Sequence, residues 1–263
     1  MASGANSTQA YEWDGTDFQA VGSPLALAVG NESCGGFSPT QIAFTNTTNP
    51  GIRAYNFDGS SWAQQGNSLA IGNSSIAVYG KLTDTLIARI PRSGRDLQAF
   101  SFDGTDWTLE GETRIYNFNQ FNIGIAALNS TDIATAQSGN GIQTWRWNGS
   151  VFTQVGNTLS ISASLGLDMT ALSATRTVAI DGAGFMRTYD WDGTDWTLLA
   201  EQNMGFGSNP ARITALSETL AVVAQSVDDE LQVYELTGST WAQVGNGISV
   251  PAVSTSDCVT TLN

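Results

Sequence analysis

Residues 189–196 read Tyr-Asp-Trp-Asp-Gly-Thr-Asp-Trp, and versions of this stretch recur along the whole chain. The central glycine recurs at intervals of 44 or 45 residues, at Gly15, Gly59, Gly104, Gly149, Gly193 and Gly238. An Asp, Asn or Thr precedes each of these glycines, and a Phe or Trp follows three residues later. Alternating β-formers on both sides of such a pair predict a β-hairpin with a tight turn.

A second signature lies between these hairpins. An apolar residue is followed directly by Ser, Thr or Asn, and a Thr lies three positions after the apolar residue. The apolar residues are Phe37, Leu82, Leu128, Leu172 and Leu216. Hydroxyl and amide side chains bond their own backbone and close short turns between strands. Each repeat is therefore predicted to hold four strands, a to d, and four-stranded units of roughly 40 to 50 residues are typical of propeller blades.

Counting repeats from the two ends predicts an all-β, six-bladed propeller in one domain, 1–263. The five complete blades are predicted at 29–66, 67–112, 113–157, 158–202 and 203–246. Residues 8–28 supply strands c and d only, whereas 247–263 resemble strands a and b. We expect these two segments to pair in a closing blade, because joining the first and last strands removes a free sheet edge.

The repeats resemble FG-GAP-type propeller repeats. The resemblance rests on the Trp-Asp-Gly strand, on the Trp three residues later, and on pairs such as Ala-Leu-Ser-Glu-Thr-Leu-Ala-Val at 215–222, preceded by Phe206-Gly207. It implies a propeller used for adhesion or ligand recognition. The chain lacks the Asp-x-Asp-x-Asp-Gly calcium pattern of that family, so we expect no calcium, and it also lacks the signature of WD40 repeats.

Composition narrows the classes of partner. The chain has 24 acidic and 10 basic residues, a net charge of −14, so a phosphate backbone or an anionic membrane surface would be repelled. No apolar run is long enough to span a membrane, and the first residues do not resemble a signal peptide. We therefore expect no nucleic acid, no membrane insertion, and a virion-associated or cytoplasmic protein.

Catalytic and metal sites are not predicted. The chain contains no His, which removes the commonest general base and metal ligand. Cys34 and Cys258 align with apolar positions of other repeats and are predicted to be buried thiols, with a disulfide between them as the alternative. The repeated carboxylates are predicted to be turn residues, at Asp14, Asp17, Asp58, Asp103, Asp106, Asp192 and Asp195. No cofactor is expected.

The repeated tryptophans are predicted to fill the gaps between blades, at Trp62, Trp107, Trp196 and Trp241. Recognition is instead expected on the face that carries the variable b–c and d–a loops, because variable loops on a rigid scaffold usually hold binding residues. The candidate ligand-binding residues there are Arg92, Arg95, Tyr116, Phe118, Phe121, Asp228 and Asp229. Exposed rings together with Asn and Gln suit a glycan or a protein partner.

The sequence predicts a non-enzymatic recognition or docking propeller. A virus or phage spike, decoration or host-attachment protein is the predicted setting, with a cell-surface glycan or a structural partner in a larger assembly as ligand. One alternative is a glycoside hydrolase or lyase acting in the central channel, which requires Asp168, Asp181, Asp228 and Asp229 to converge. The other alternative is a cytosolic scaffold protein.

Overall fold

The computed structural model describes residues 2–4, 7–26, 32–46, 51–71, 77–91, 95–115, 123–137, 139–161, 168–181, 183–205, 211–225, 230–250 and 259–262. Every regular secondary-structure element in these residues is a β-strand. Among them there is no helix long and apolar enough to cross a membrane.

Five antiparallel sheets of four strands each follow one another along the chain as blades 1 to 5. Blade 1 contains β4 (Glu32–Ser38), β5 (Gln41–Asn46), β6 (Gly51–Phe57) and β7 (Trp62–Ala70). Blade 2 contains β8 (Ala77–Lys81), β9 (Leu86–Pro91), β10 (Asp96–Phe102) and β11 (Trp107–Arg114). Blade 3 contains β12 (Ile123–Ala127), β13 (Asp132–Gln137), β14 (Gly141–Trp147) and β15 (Phe152–Leu159).

The last two blades have the same order. Blade 4 contains β16 (Asp168–Ser173), β17 (Arg176–Ile180), β18 (Phe185–Trp191) and β19 (Trp196–Asn203). Blade 5 contains β20 (Ala211–Ala215), β21 (Leu220–Gln225), β22 (Glu230–Thr237) and β23 (Thr240–Ser249). Because every blade is an up-and-down meander, its a–b and c–d turns lie on one face of the molecule, the turn face. The strand ends that border its b–c and d–a connections lie on the other face, the loop face.

The predicted Asp-Gly hairpins are confirmed, and the turn of blade 2 shows how they form. Asp103 Oδ1 accepts hydrogen bonds from the backbone N–H groups of Thr105 (2.8 Å) and Asp106 (2.7 Å). Gly104 has φ +98°, a conformation that residues with a side chain rarely adopt. Asp14, Asp58 and Asp192 accept the same pair of backbone hydrogen bonds, so these Asp residues are structural, as predicted.

The prediction of six four-stranded blades is wrong, because the structure has five. The N-terminal residues form a three-stranded sheet of β1 (Ala2–Gly4), β2 (Ser7–Trp13) and β3 (Phe18–Ala26). The strand that pairs with β2 opposite β3 is β1, from the N-terminus, and not a C-terminal strand b. Residues 2–4 are Ala-Ser-Gly and carry no local strand signal, so their pairing follows from the free edge of β2 and not from propensity.

The three-stranded sheet lies between blades 5 and 1. On one side, the backbone N–H of Ser23 in β3 donates to the carbonyl of Ser60 in blade 1 at 2.7 Å. On the other, the backbone N–H of Asn246 in blade 5 donates to the carbonyl of Thr16 at 3.0 Å. The C-terminus also reaches blade 1, where the backbone N–H of Gly36 donates to Thr260 Oγ1 at 2.8 Å. Consecutive innermost strands, from β4 to β20, pack side by side around a central channel.

Aromatic side chains fill gaps between blades at Trp107, Trp196 and Trp241, as the sequence predicted, whereas the ring of Trp62 contacts Phe57 of its own blade. Trp191 and Trp196, on the two sides of one Asp-Gly turn, stack with ring centroids 5.1 Å apart. Trp196 Nε1 donates to Thr144 Oγ1 of blade 3 at 2.9 Å, and Trp241 Nε1 donates to Thr188 of blade 4, also at 2.9 Å. Each such ring thus fastens its own blade to the preceding one.

The expectation of a buried free thiol at Cys34 is wrong. Cys34 is disulfide-bonded, and the chain's other cysteine, Cys258, lies outside the described residues. Cys34 is on β4, next to the wall of the central channel. Alignment with apolar residues in other repeats identified its burial correctly but could not reveal a covalent partner.

Candidate functional site

Most of the loop residues that the sequence singled out fall outside the described part of the chain. These are Arg92, Tyr116, Phe118, Phe121, Asp228 and Asp229. Arg95 is described, and it is half-buried beside β10, where its backbone carbonyl accepts a hydrogen bond from the N–H of Ile115 at 2.8 Å. The predicted loop-face site therefore stays a prediction. The described residues offer candidate binding groups at the clefts where neighbouring blades meet.

A repeated pair of side chains borders each of these clefts. On every strand that precedes an Asp-Gly-type turn, a long polar residue is followed two positions later by an aromatic ring. The pairs are Gln9 and Tyr11, Arg53 and Tyr55, Gln98 and Phe100, Gln143 and Trp145, Arg187 and Tyr189, and Gln232 and Tyr234. Residues two apart on a strand share a face. Tyr189 belongs to the apolar cluster between blades 3 and 4, so Arg187 also faces blade 3.

Arg187 is the best-developed of these polar positions. It lies opposite Glu201 on β19, and Arg187 Nε donates to Glu201 Oε2 at 2.6 Å. Arg187 Nη1 donates to Asp181 Oδ2, and the guanidinium carbon lies 4.9 Å from the centre of the Phe185 ring. Arg187 Nη2 has no hydrogen-bond acceptor among the described residues. This edge of a fixed guanidinium can therefore donate to a ligand.

Asp181 holds the loop next to this arginine in place. Its Oδ1 accepts hydrogen bonds from the backbone N–H groups of Ala183 (2.9 Å) and Phe185 (3.0 Å). Its side chain is 1% exposed, against 18% for Arg187 and 45% for Glu201. The exposed groups that a ligand could reach are therefore Arg187 and Glu201, while Asp181 positions them.

Hydrogen bonds and burial keep the Arg187 guanidinium charged and the Tyr189 phenol neutral. Burial alone would lower the pKa of Arg187, but hydrogen bonds to Glu201 and Asp181 outweigh it and raise that pKa above its ordinary value. Burial raises the pKa of the Tyr189 phenol to about 12, although the charge of Arg187 partly opposes this. At neutral pH the site thus combines a guanidinium, a carboxylate and a neutral hydroxyl.

Blade 3 supplies an apolar wall to the same cleft. Leu159, at the end of β15, and Ile161 just beyond it are partly buried and pack on the cluster that contains Tyr189 and Ile142. We call this boundary, which Arg187, Glu201 and Tyr189 of blade 4 and Leu159 and Ile161 of blade 3 border, the 3–4 cleft. It combines directional polar groups with an apolar surface, which is the usual composition of a small-molecule site.

Blade 2 carries a related row of side chains. Arg89 on β9 is 1% exposed, and its Nη1 donates to Gln98 Oε1 on β10 at 2.8 Å. Gln98 Nε2 donates to Glu112 Oε2 on β11 at 3.3 Å. Leu69 and Ile71 of blade 1 pack on the cluster that contains Phe100. We call this boundary between blades 1 and 2 the 1–2 cleft.

Of the four carboxylates that a glycosidase would need, the two that the structure describes, Asp168 and Asp181, bond different neighbours. Asp168 faces blade 5, because its Oδ2 accepts from the backbone N–H of Ile213 at 3.0 Å, and its Oδ1 accepts from its neighbour Met169 at 3.1 Å. Asp181 instead contacts Arg187, which faces blade 3. Asp228 and Asp229 lie outside the described residues. Within the described ranges no group of three or more His, Cys, Asp or Glu residues could hold a metal ion.

The channel itself is a cavity of about 250 Å³ bordered by the innermost strands. Two of its polar side chains accept hydrogen bonds from the backbone of a neighbouring blade. Ser33 Oγ accepts from the backbone N–H of Ala77 at 2.9 Å, and Thr170 Oγ1 accepts from that of Ala215 at 3.3 Å. These two hydroxyls of the channel wall therefore join neighbouring blades.

Comparison with known proteins supports the propeller fold. No family model matches the chain, and no curated protein sequence matches it. The Aleuria aurantia lectin AAL, in complex with Fucα1-6GlcNAc, is similar in structure, with a TM-score of 0.62 and 14% identity over 92% of this chain and 88% of that chain. The lectin SapL1, in complex with α-methyl fucoside, gives 0.55 and 15% over 84% and 81%.

A non-lectin propeller gives a similar score. A putative 6-phosphogluconolactonase from Bacteroides fragilis has a TM-score of 0.59 and 10% identity over 94% of this chain and 78% of that chain. At such identities the likeness shows the fold alone. The resemblance to FG-GAP repeats is confirmed only as far as the β-propeller architecture, since no family model matches.

Proposed function

We propose that this chain is a non-catalytic carbohydrate-binding propeller, and that it binds a sugar in the 3–4 cleft. The observation that carries the proposal is the fixed pair of Arg187 and Glu201. Their nitrogen–oxygen distance is 2.6 Å, Glu201 is 45% exposed, and Arg187 keeps an unused donor edge within the described structure.

The chemistry of the cleft suits a polyol. A sugar hydroxyl both donates and accepts, so one hydroxyl can accept from Arg187 while its neighbour donates to the Glu201 carboxylate. Hydrogen bonds with one charged partner are about twice as strong as neutral ones. The C–H face or a methyl group of the sugar would pack on Leu159 and Ile161. An ion pair already formed in the free protein lowers the ordering cost of binding.

Two of the similar solved structures are lectins with fucose-containing ligands, which supports the choice of a carbohydrate over a peptide. One similar structure is a putative lactonase, so an enzymatic function is the second candidate. The arrangement of Asp168 and Asp181, each directed to a different neighbour, does not favour hydrolysis. Association with a virus or phage particle stays a prediction from composition.

A glycan array followed by calorimetry tests the proposal. We expect the protein to bind a defined set of glycans, and we expect Arg187→Gln to weaken binding at least tenfold. Arg176→Gln is the matched control, because Arg176 is on the same blade but at its turn-face end. It also forms a carboxylate pair, with Arg176 Nε 2.6 Å from Asp190 Oδ1.

The control variant should bind with unchanged affinity. An array with no bound glycan would contradict the proposal, and so would equal affinities for the wild type and Arg187→Gln. Melting temperatures of both variants show whether either substitution acts through the fold instead of through the cleft.

A further inference from the structure

We propose that the protein carries two sugar sites, the second in the 1–2 cleft, and that it is therefore bivalent. This inference rests on the proposed carbohydrate binding. It comes from a difference between blades that the 44- to 45-residue repeat conceals. The outermost strand follows one course in blades 1, 3 and 5 and another in blades 2 and 4.

In blades 1, 3 and 5 the outermost strand leaves its ladder after a glycine with positive φ. In blade 3, Ile142 pairs with Leu159 and Thr144 with Val155, so the residues between Val155 and Leu159 bulge away from β14. Asn157 in this bulge reaches blade 4, where its backbone N–H donates to the Thr194 carbonyl (2.9 Å) and its Nδ2 to Asp195 Oδ1 (2.6 Å).

The same contact, which we call the Asn clasp, recurs in the two other blades of this kind. Asn67 Nδ2 of blade 1 donates to Asp106 Oδ1 of blade 2 at 2.9 Å. Asn246 Nδ2 of blade 5 donates to Asp17 Oδ1 of the three-stranded sheet, also at 2.9 Å. The Asn clasp thus joins blade 1 to 2 and blade 3 to 4, the two pairs that border the clefts described above.

In blades 2 and 4 the outermost strand skips only one residue of its ladder, whereas in blades 1, 3 and 5 it skips three. Ala200 occupies the glycine position in blade 4, and Gly111 of blade 2 does not adopt a positive φ. Pairing therefore resumes after a bulge of one residue, Glu110 or Leu199, and it sets Glu112 opposite Gln98 and Glu201 opposite Arg187. Among the described strands, these are the two blades with a carboxylate at this position, where the other sheets have Asn67, Asn157, Asn246 and Ser23.

The 1–2 and 3–4 clefts match on both walls. Each has a Leu and an Ile two residues apart on the preceding blade, Leu69 and Ile71 or Leu159 and Ile161. Each faces an arginine and a glutamate in one cross-strand row. In the 1–2 cleft the arginine is the buried Arg89, and the amide of Gln98 stands where Arg187 stands in the 3–4 cleft. We therefore expect the second site to bind the same sugar more weakly.

Two sites on one chain allow it to cross-link glycans. Binding of one site raises the effective concentration of a second glycan of the same surface at the other site, which increases overall avidity without any new contact. A chain with a site in every cleft would show higher stoichiometry, and a chain with the 3–4 cleft alone would bind without cross-linking.

Native mass spectrometry with methyl α-fucoside and with the methyl glycosides of mannose, galactose and N-acetylglucosamine counts the sites. We expect two bound sugars at saturation in the wild type, one in Glu112→Gln, one in Glu201→Gln and none in the double variant. Glu110→Gln is the matched control, because Glu110 is on β11 but bonds Ser101 and not Gln98. It should keep two.

Cross-linking gives a second readout that a structural role would not affect. The wild type should precipitate a neoglycoprotein bearing many copies of the bound sugar, whereas each single variant should bind it without precipitation. One, or more than two, bound sugars in the wild type would overturn the inference, as would two in Glu112→Gln. No bound sugar of any kind would instead contradict the proposed function itself.

Discussion

At the scale of single residues, two kinds of aspartate have different roles in the same turns. Asp14, Asp58, Asp103 and Asp192 accept backbone hydrogen bonds within their own turns, and these bonds lower their pKa values. Asp17, Asp106 and Asp195 instead accept from an asparagine of the preceding blade. Asn148 forms the first kind of bond in blade 3, which shows that the turn requires an acceptor and not a charge.

The charge of Asp132 does contribute to the stability of the folded state, and its contribution depends on pH. The hydrogen bonds from Arg146, at 2.7 and 2.8 Å, lower the pKa of Asp132. A carboxyl with a lowered pKa in the folded state stabilises the protein above its ordinary value near 3.9, and this stabilisation is lost as pH falls through the lowered value. We therefore expect Asp132→Asn to cost about 1 kcal/mol at pH 7, since Arg146 is largely exposed.

Urea unfolding at pH 7 and pH 2 checks this expectation. The difference between the wild type and Asp132→Asn should shrink at the lower pH. Asp84→Asn is the control, because the Lys81–Asp84 pair is at the surface and should contribute less than about 0.5 kcal/mol. A difference that grows toward low pH would refute the assigned role of Asp132.

At the scale of elements, the outermost strands decide how neighbouring blades meet. A Cβ atom on Gly156 would overlap the carbonyl of Thr194 and the ring of Trp191, and Gly156 has φ +68°. Gly149 also has a positive φ, +100°, but nothing lies within 4 Å of its Cβ position. The two glycines thus separate the cost of backbone conformation from the cost of displacing the next blade.

Chemical denaturation of two alanine variants makes this comparison. Gly149→Ala should lose about 1–2 kcal/mol of unfolding free energy, the cost of a left-handed conformation. Gly156→Ala should lose more by at least about 1–3 kcal/mol, because blade 4 must also move. Equal losses would mean that blades 3 and 4 do not meet closely at this glycine.

The sequence predicted most strands but not the two different courses that the outermost strands follow. Turn residues and alternating β-formers are local signals, so the Asp-Gly hairpins and the four strands of blades 2 and 4 could be predicted from short segments. Glu112 and Glu201 break the repeat where other sheets have Asn or Ser, and this break is a signal that sequence reasoning missed. Their pairing with Gln98 and Arg187 depends on register, which a bulge shifts without an obvious local mark.

At the scale of the whole molecule, contacts among the described residues connect the two ends of the chain, and a disulfide holds β4 in addition. The three-stranded sheet lies between blades 5 and 1, Thr260 bonds Gly36, and Cys34 on β4 is disulfide-bonded. Removing a native disulfide typically costs about 2–5 kcal/mol, because the unfolded chain regains conformational freedom. The stability of the ring should therefore depend on redox conditions.

Calorimetry with and without a reductant tests this dependence. We expect Cys34→Ser and the reduced wild type to melt at similar, lowered temperatures, and the reductant to leave Cys34→Ser unaffected. Intact-mass analysis after alkylation should show no modified Cys34 unless the protein is first reduced. Alkylation of the native protein at Cys34 would contradict the bond.

The amino-acid sequence by itself determined the repeat, the strand pairs, the turn chemistry and the aromatic contacts between blades, because each depends on residues a few positions apart. The tertiary structure decided what joins distant segments. It paired β1 with β2, gave Cys34 a partner, set Glu201 opposite Arg187, and packed Leu159 and Ile161 on the cluster that contains Tyr189. Such contacts depend on which edges remain unpaired and on strand register after the blades assemble, and neither is fixed by local propensity.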